Sequence, residues 1–131
     1  MPFTIFFIED DLPTIDVYRD IFQKTGFEVE IIDSGQRGLE ILKEVKENRR
    51  KCPDLILLDL ILPDINGIEI LRNAKSEPSL EKVPFIIFTN YTDPDLEHEI
   101  RRLGVEEYIV KTNYTPSKLI SMIRGKFKGA T

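Results

Sequence analysis

The chain has 131 residues, 41% hydrophobic and 31% charged, and its 18 basic against 23 acidic side chains leave a formal net charge of -5. That length suits one globular domain with a single buried core, and residues 1–131 are read as one. No apolar run approaches the roughly 18 residues of a membrane span, an acidic balance disfavours a phosphate backbone as partner, and Cys52, the only cysteine, has no partner for an internal disulfide. The start, Met1-Pro2-Phe3-Thr4, lacks a signal-peptide pattern, so a cytoplasmic setting without direct nucleic-acid or membrane binding is expected.

Short apolar runs alternate with longer amphipathic stretches along the chain. Phe3–Ile8 reads as the first strand, followed by a helix with Ile15, Tyr18, Ile21 and Phe22 on one face and Gly26 as its stop. Phe27–Ile32 is the second strand, and Leu39, Leu42 and Val45 line the helix after it. Asp54–Leu58 is the third, leading to a helix over about Gly67 to Ser76 with Ile68, Leu71 and Ala74 inward. Val83–Phe88 is the fourth, followed by a helix with Leu96, Ile100 and Leu103 inward before Gly104. Glu106–Val110 is the fifth. In the last helix Thr115 caps, Pro116 takes the first position, and Leu119, Met122, Ile123 and Phe127 form the buried stripe. Strict strand–helix alternation implies an α/β doubly wound parallel sheet with helices on both faces, because parallel neighbours need crossovers. Periodicity leaves the strand order open between the two common doubly wound arrangements.

Ligands of such sheets bind beyond the carboxyl ends of the strands. Strand one ends in Glu9-Asp10-Asp11, strand three in Asp59, strand four in Thr89 and strand five in Lys111. Clustered carboxylates repel one another, and a divalent cation neutralises them. Oxygen donors without paired His or Cys point to magnesium. A carboxylate beside such an ion can act as a nucleophile toward phosphorus, with Thr89 and Lys111 binding the remaining phosphoryl oxygens.

The segments Phe6-Phe7-Ile8-Glu9-Asp10-Asp11, Pro53 to Pro63 around Asp59, Val83 to Thr89, and Tyr108-Ile109-Val110-Lys111 occur in order. Together they resemble the receiver domain of two-component response regulators, in the stand-alone form of the chemotaxis regulators, from about Phe3 to Phe127. The resemblance implies a five-stranded flavodoxin-like sheet of order 2-1-3-4-5. It implies Asp59 as phosphoacceptor, Asp10 as direct magnesium ligand, Glu9 as a ligand through water and the Ile61 carbonyl as a further ligand. Thr89 and Lys111 are then the phosphoryl-binding pair. Tyr108 is the switch aromatic that turns inward when Thr89 is drawn to the phosphoryl group, and Gly67 lets the loop turn into helix three. Phosphorylation and slow hydrolysis are self-catalysed. Implied partners are a sensor histidine kinase or phosphotransfer protein, a downstream protein target, and a second copy through helix four, strand five and helix five.

Two positions depart from the family pattern. Lys111 is followed by Thr112 where a cis-proline is usual, which leaves a trans loop or a strained cis one, and Asn90 follows Thr89 where small residues are usual. Asn90 and Ile61, flanking the site, are expected to tune the lifetime of the acyl phosphate. Asp11 is expected to cap helix one, Arg49-Arg50-Lys51 to complement the end of helix two, His98 to be exposed, and Cys52 to pack as a small residue. The competing reading is a receiver-like interaction module that is not phosphorylated. A phosphatase with an aspartate nucleophile lacks its acid–base carboxylate, because that position is Ile61, and a flavin protein would need a Ser/Thr/Gly-rich loop after strand one.

Overall fold

The computed structural model describes residues 2–130. Five parallel strands, β1 (Thr4–Ile8), β2 (Glu28–Ile32), β3 (Leu55–Leu58), β4 (Phe85–Thr89) and β5 (Glu107–Val110), form one sheet of order β2-β1-β3-β4-β5. The crossovers are α1 (Leu12–Gln23), α2 (Gly35–Lys46), α3 (Gly67–Lys75) and α4 (Pro94–Leu103), and α5 (Pro116–Lys126) follows β5. This is the expected flavodoxin-like arrangement.

The alternation of side chains along each strand divides the interior in two. Phe6, Ile8, Ile56, Leu58, Phe85, Ile87 and Tyr108 face a core closed by α2, α3 and α4, which contribute Ile41, Leu42, Ile68, Leu71 and Ile100. Ile5, Phe7, Leu55, Leu57, Ile86, Phe88 and Ile109 face the opposite core, closed by Tyr18 and Phe22 of α1 and Leu119, Ile120 and Ile123 of α5. An unbroken apolar run such as Leu55–Leu58 is therefore two half-patterns interleaved, each with its own helices to bury against.

Helix ends follow local chemistry. The side chains of Asp11, Ser34, Asn66, Asp93 and Thr115 each accept a hydrogen bond from a first-turn N–H of α1 to α5 respectively. Asp64 adds a cap from a distance, its two oxygens accepting from Gly35 N–H at 2.9 Å and Gln36 N–H at 2.7 Å, which ties the loop after β3 to the start of α2.

Several expectations shift. The fourth strand starts at Phe85 rather than Val83, because Pro84 has no N–H for the ladder and Val83 N–H bonds the Leu80 carbonyl instead. Arg49, Arg50 and Lys51 lie beyond the end of α2, whose last turn is served by Lys43 and Lys46. Arg50 instead bridges Glu44 and Glu30, at 2.9 and 2.6 Å, linking the segment after α2 to β2. Cys52 is exposed, not packed; Pro53 takes the buried place beside it. His98 is exposed on α4.

Candidate functional site

The sheet delivers its polar residues to one rim. The loop after β1 continues the ladder, with Glu9 N–H bonded to the Ile32 carbonyl at 2.9 Å, and Asp59 N–H bonds the Ile8 carbonyl at 3.0 Å. Glu9, Asp10 and Asp59 thereby present carboxylate oxygens within 4.8 Å of one another, the one such group of three or more potential metal ligands among the described residues. Glu9 and Asp59 are buried and Asp10 is half-buried.

Lys111 enters from the end of β5. Its Nζ lies 2.5 Å from Glu9 Oε1 and donates to Asp59 Oδ2 at 3.0 Å. Glu9 Oε1 is a fully buried carboxylate oxygen whose one close partner is the Lys111 ammonium, with no further donor to satisfy its remaining lone pair. Burial pushes the Glu9 carboxyl up to about 7, with Asp59 adding repulsion and Lys111 opposing both. The Lys111 ammonium is held above its ordinary range: its bonds and attraction to Glu9 and Asp59 outweigh burial, the largest single influence, which acts downward. A buried acid with an undersatisfied oxygen, next to two more carboxylates, fits a divalent cation with oxygen donors. Asp59 Oδ1 also accepts from Ile61 N–H at 3.2 Å, which orients the carboxylate.

Glu9 gives the metal-free crevice a definite pH dependence. Its native value near 7 exceeds its ordinary 4.5, so its contribution to stability is complete below 4.5 and is lost as pH rises through 7. Cation binding needs the deprotonated carboxylate and displaces that proton. Apparent affinity for a divalent cation is expected to rise between about pH 6 and 8 with proton release, followed by calorimetry; an affinity flat across that window contradicts this account of Glu9.

Thr89 ends β4 fully buried, and its Oγ1 accepts from Tyr91 N–H at 3.2 Å, which leaves the hydroxyl proton free to be donated. Tyr108 is packed inward at 8% exposure, its hydroxyl donating to the Tyr91 carbonyl at 2.8 Å. The side chains of Ile61 and Tyr91, 55% and 39% exposed, stand on the loops after β3 and β4 and line a shared pocket with Leu60 and Pro63.

Gly67 and Asn90 make contacts that the sequence did not show. Gly67 needs no left-handed backbone. A Cβ there would lie 2.3 Å from the Asp59 carbonyl oxygen and 2.8 Å from Leu60 Cα, so glycine is required by the close approach of α3 to the Asp59 loop. Gly67→Ala is expected to destabilise by about 3 kcal/mol, since the obstruction is backbone; a denaturation midpoint unchanged from wild type would refute this. Asn90 is exposed, and its Oδ1 accepts from Thr112 N–H at 3.2 Å. The Lys111–Thr112 peptide is trans and opens a 3-10 turn, Lys111–Asn113, yet Lys111 reaches Asp59.

A doubly wound sheet whose carboxyl rim gathers acidic residues, a threonine and a lysine is the architecture of a phosphosignalling receiver. The chain belongs to the response regulator receiver domain family, which matches residues 5–124. It is 33% identical to the polar-differentiation response regulator DivK of Brucella anthropi over 116 residues, covering 88% of this chain and 89% of that one. Among solved structures it is similar to the phosphorylated cyanobacterial phytochrome response regulator RcpA, with 28% identity, a TM-score of 0.80 and coverage of 95% and 91%. The Mn(2+)-bound form of response regulator Rcp1 gives 26% identity and the same TM-score and coverage. The chain thus has the phosphoacceptor role of a receiver in two-component signalling, a class that interacts with histidine kinases and downstream targets. No helix among the described residues is long and apolar enough to cross a membrane.

Proposed function

We propose that Asp59 is the phosphoacceptor and that magnesium is the ion its crevice takes. The observation that carries this reading is the triad of Glu9, Asp10 and Asp59 with Lys111 bonded to Asp59 Oδ2. Glu9, Asp10, Asp59 and the Ile61 carbonyl would hold the ion. When bound, magnesium neutralises the clustered carboxylates and the incoming phosphoryl oxygens.

An Asp59 oxygen forms a bond to phosphorus as the bond from phosphorus to the donor's imidazole nitrogen breaks, and that nitrogen keeps the electron pair. The Ile61 N–H holds the Asp59 carboxylate in a fixed plane for in-line attack. Lys111, released from its ion pairs as charge moves outward, and the Thr89 hydroxyl then bind phosphoryl oxygens. Closure of Thr89 on the phosphoryl group draws on the Tyr91 N–H that its oxygen already accepts. Tyr91 also carries the carbonyl that anchors Tyr108, so phosphorylation biases the loop between β4 and α4 together with β5. A downstream protein or a second copy of the chain reads α4, β5 and α5.

Incubation with acetyl phosphate or phosphoramidate and magnesium tests the reading by intact mass. A phosphoryl increment that chelation abolishes is expected. Absence of any increment would favour the interaction module that is not phosphorylated.

A further inference from the structure

Thr89 ends β4 and Lys111 follows β5, yet the residues immediately after them are bonded to each other. Thr112 N–H donates to Asn90 Oδ1 at 3.2 Å, across 22 positions of sequence. The segment this bond holds is otherwise weakly fixed. The Lys111–Asn113 turn has no side-chain cap at Val110 and is closed by the Tyr114 N–H to the Lys111 carbonyl at 3.3 Å. A single 3-10 turn has poor hydrogen-bond geometry, and its first N–H groups have no partner within it. Asn90 is the only side chain among the described residues that accepts from the backbone of this turn.

What the turn carries is exacting. Lys111 has a long, flexible stem, and its Nζ must stay between Glu9 Oε1 and Asp59 Oδ2 over the ring of Phe88, 5.8 Å from the centroid. Tethering the stem's backbone reduces the freedom that has to be lost when the ammonium engages an oxyanion.

The geometry points to Asn90 as a positioning residue: its side-chain carbonyl braces the Lys111–Asn113 turn against the end of β4 and so sets the separation between the Thr89 hydroxyl and the Lys111 ammonium. This rests on the reading of those two groups as the phosphoryl-binding pair. It also makes Asn90 and Thr112 a matched pair, because position 112 has an N–H to give and the Asn90 side-chain carbonyl is placed to take it. The brace differs from a steric gate in its consequence. A gate acts through the bulk of Asn90 whatever residue stands at 112, whereas a brace acts only while 112 has an N–H to give.

The test compares wild type, Asn90→Ala, Thr112→Pro and the double variant in magnesium-dependent phosphorylation by phosphoramidate over a donor concentration series. Asn90→Ala is expected to lower the maximal rate about fivefold, the worth of one exposed hydrogen bond, with the half-saturating donor concentration little changed. In the Thr112→Pro background the same change is expected to have no effect, since proline has no N–H. An equal loss in both backgrounds, or an Asn90→Ala rate equal to wild type, overturns the proposal. Should Thr112→Pro fail to fold, amide hydrogen exchange at Thr112 decides: exchange about fivefold faster in Asn90→Ala supports the brace, and unchanged exchange overturns it. Wild type that accepts no phosphoryl group overturns the phosphoacceptor reading itself. Labelled wild type with an unaltered Asn90→Ala overturns this inference alone.

Discussion

Lys111→Met is expected to lower both the stability of the protein and its rate of phosphorylation, for separable reasons. The Lys111 side chain is 13% exposed and Glu9 is fully buried, so removing the ammonium leaves Glu9 without its only charge partner among the described residues. Breaking a buried pair by deleting one member typically costs about 3–5 kcal/mol. Here Glu9 has a way out, because its carboxyl already sits near 7 and loses the main group that holds it down, leaving only the Asp11 N–H to do so. It takes up a proton, and the loss at neutral pH falls to about 2–3 kcal/mol. Adding Glu9→Gln removes the stranded acid and should recover most of that loss in a denaturation experiment. Phosphorylation should not recover. On the proposed reading Lys111 faces the position where phosphoryl charge develops, and removing such a donor lowers a rate by about 10²–10³. Lys111→Met phosphorylated at the wild-type rate under conditions where it is folded would show that Lys111 serves the fold alone.

Asp59→Asn should eliminate phosphorylation while leaving the metal-free protein at least as stable as wild type. Asp59 is 5% exposed, and its charge raises the Glu9 carboxyl by repulsion. Its amide replacement relieves that repulsion, and the Lys111–Glu9 pair persists. A gain of about 1 kcal/mol is expected, as is usual where a site keeps like charges together for function. Thermal denaturation with chelator present gives the comparison. A large destabilisation would mean that Asp59 is held there by structure rather than by chemistry.

The fold could be read from the chain because its signal is local. Leu55–Leu58 and Phe85–Phe88 are too short and too apolar for surface helices, and Ile68, Leu71 and Ala74 recur at helical spacing, so each element declares itself without its neighbours. The order β2-β1-β3-β4-β5 is not local, and it followed from the resemblance rather than from period. The residues of the rim were likewise found by asking what ends each strand, which needs only the direction of the sheet. Missed features all depend on contacts between distant segments. Nothing near Asn90 in sequence shows that Thr112 lies against it, nor that Arg50 meets Glu30, nor that Asp64 caps α2. Gly67 was correctly marked as special for an insufficient reason: its constraint is the Asp59 carbonyl 2.3 Å from a Cβ, visible only once α3 is packed. Cys52 was misplaced because side-chain size says little in a loop, where Pro53 took the interior position.

The most direct test is the site of modification. Wild-type protein is phosphorylated with phosphoramidate and magnesium, digested, and mapped by tandem mass spectrometry beside Asp59→Asn treated in the same way. The account predicts one phosphoryl group on the peptide bearing Asp59, absent with chelator and absent from the variant. A phosphoryl group on another residue, or equal labelling of Asp59→Asn, would contradict it.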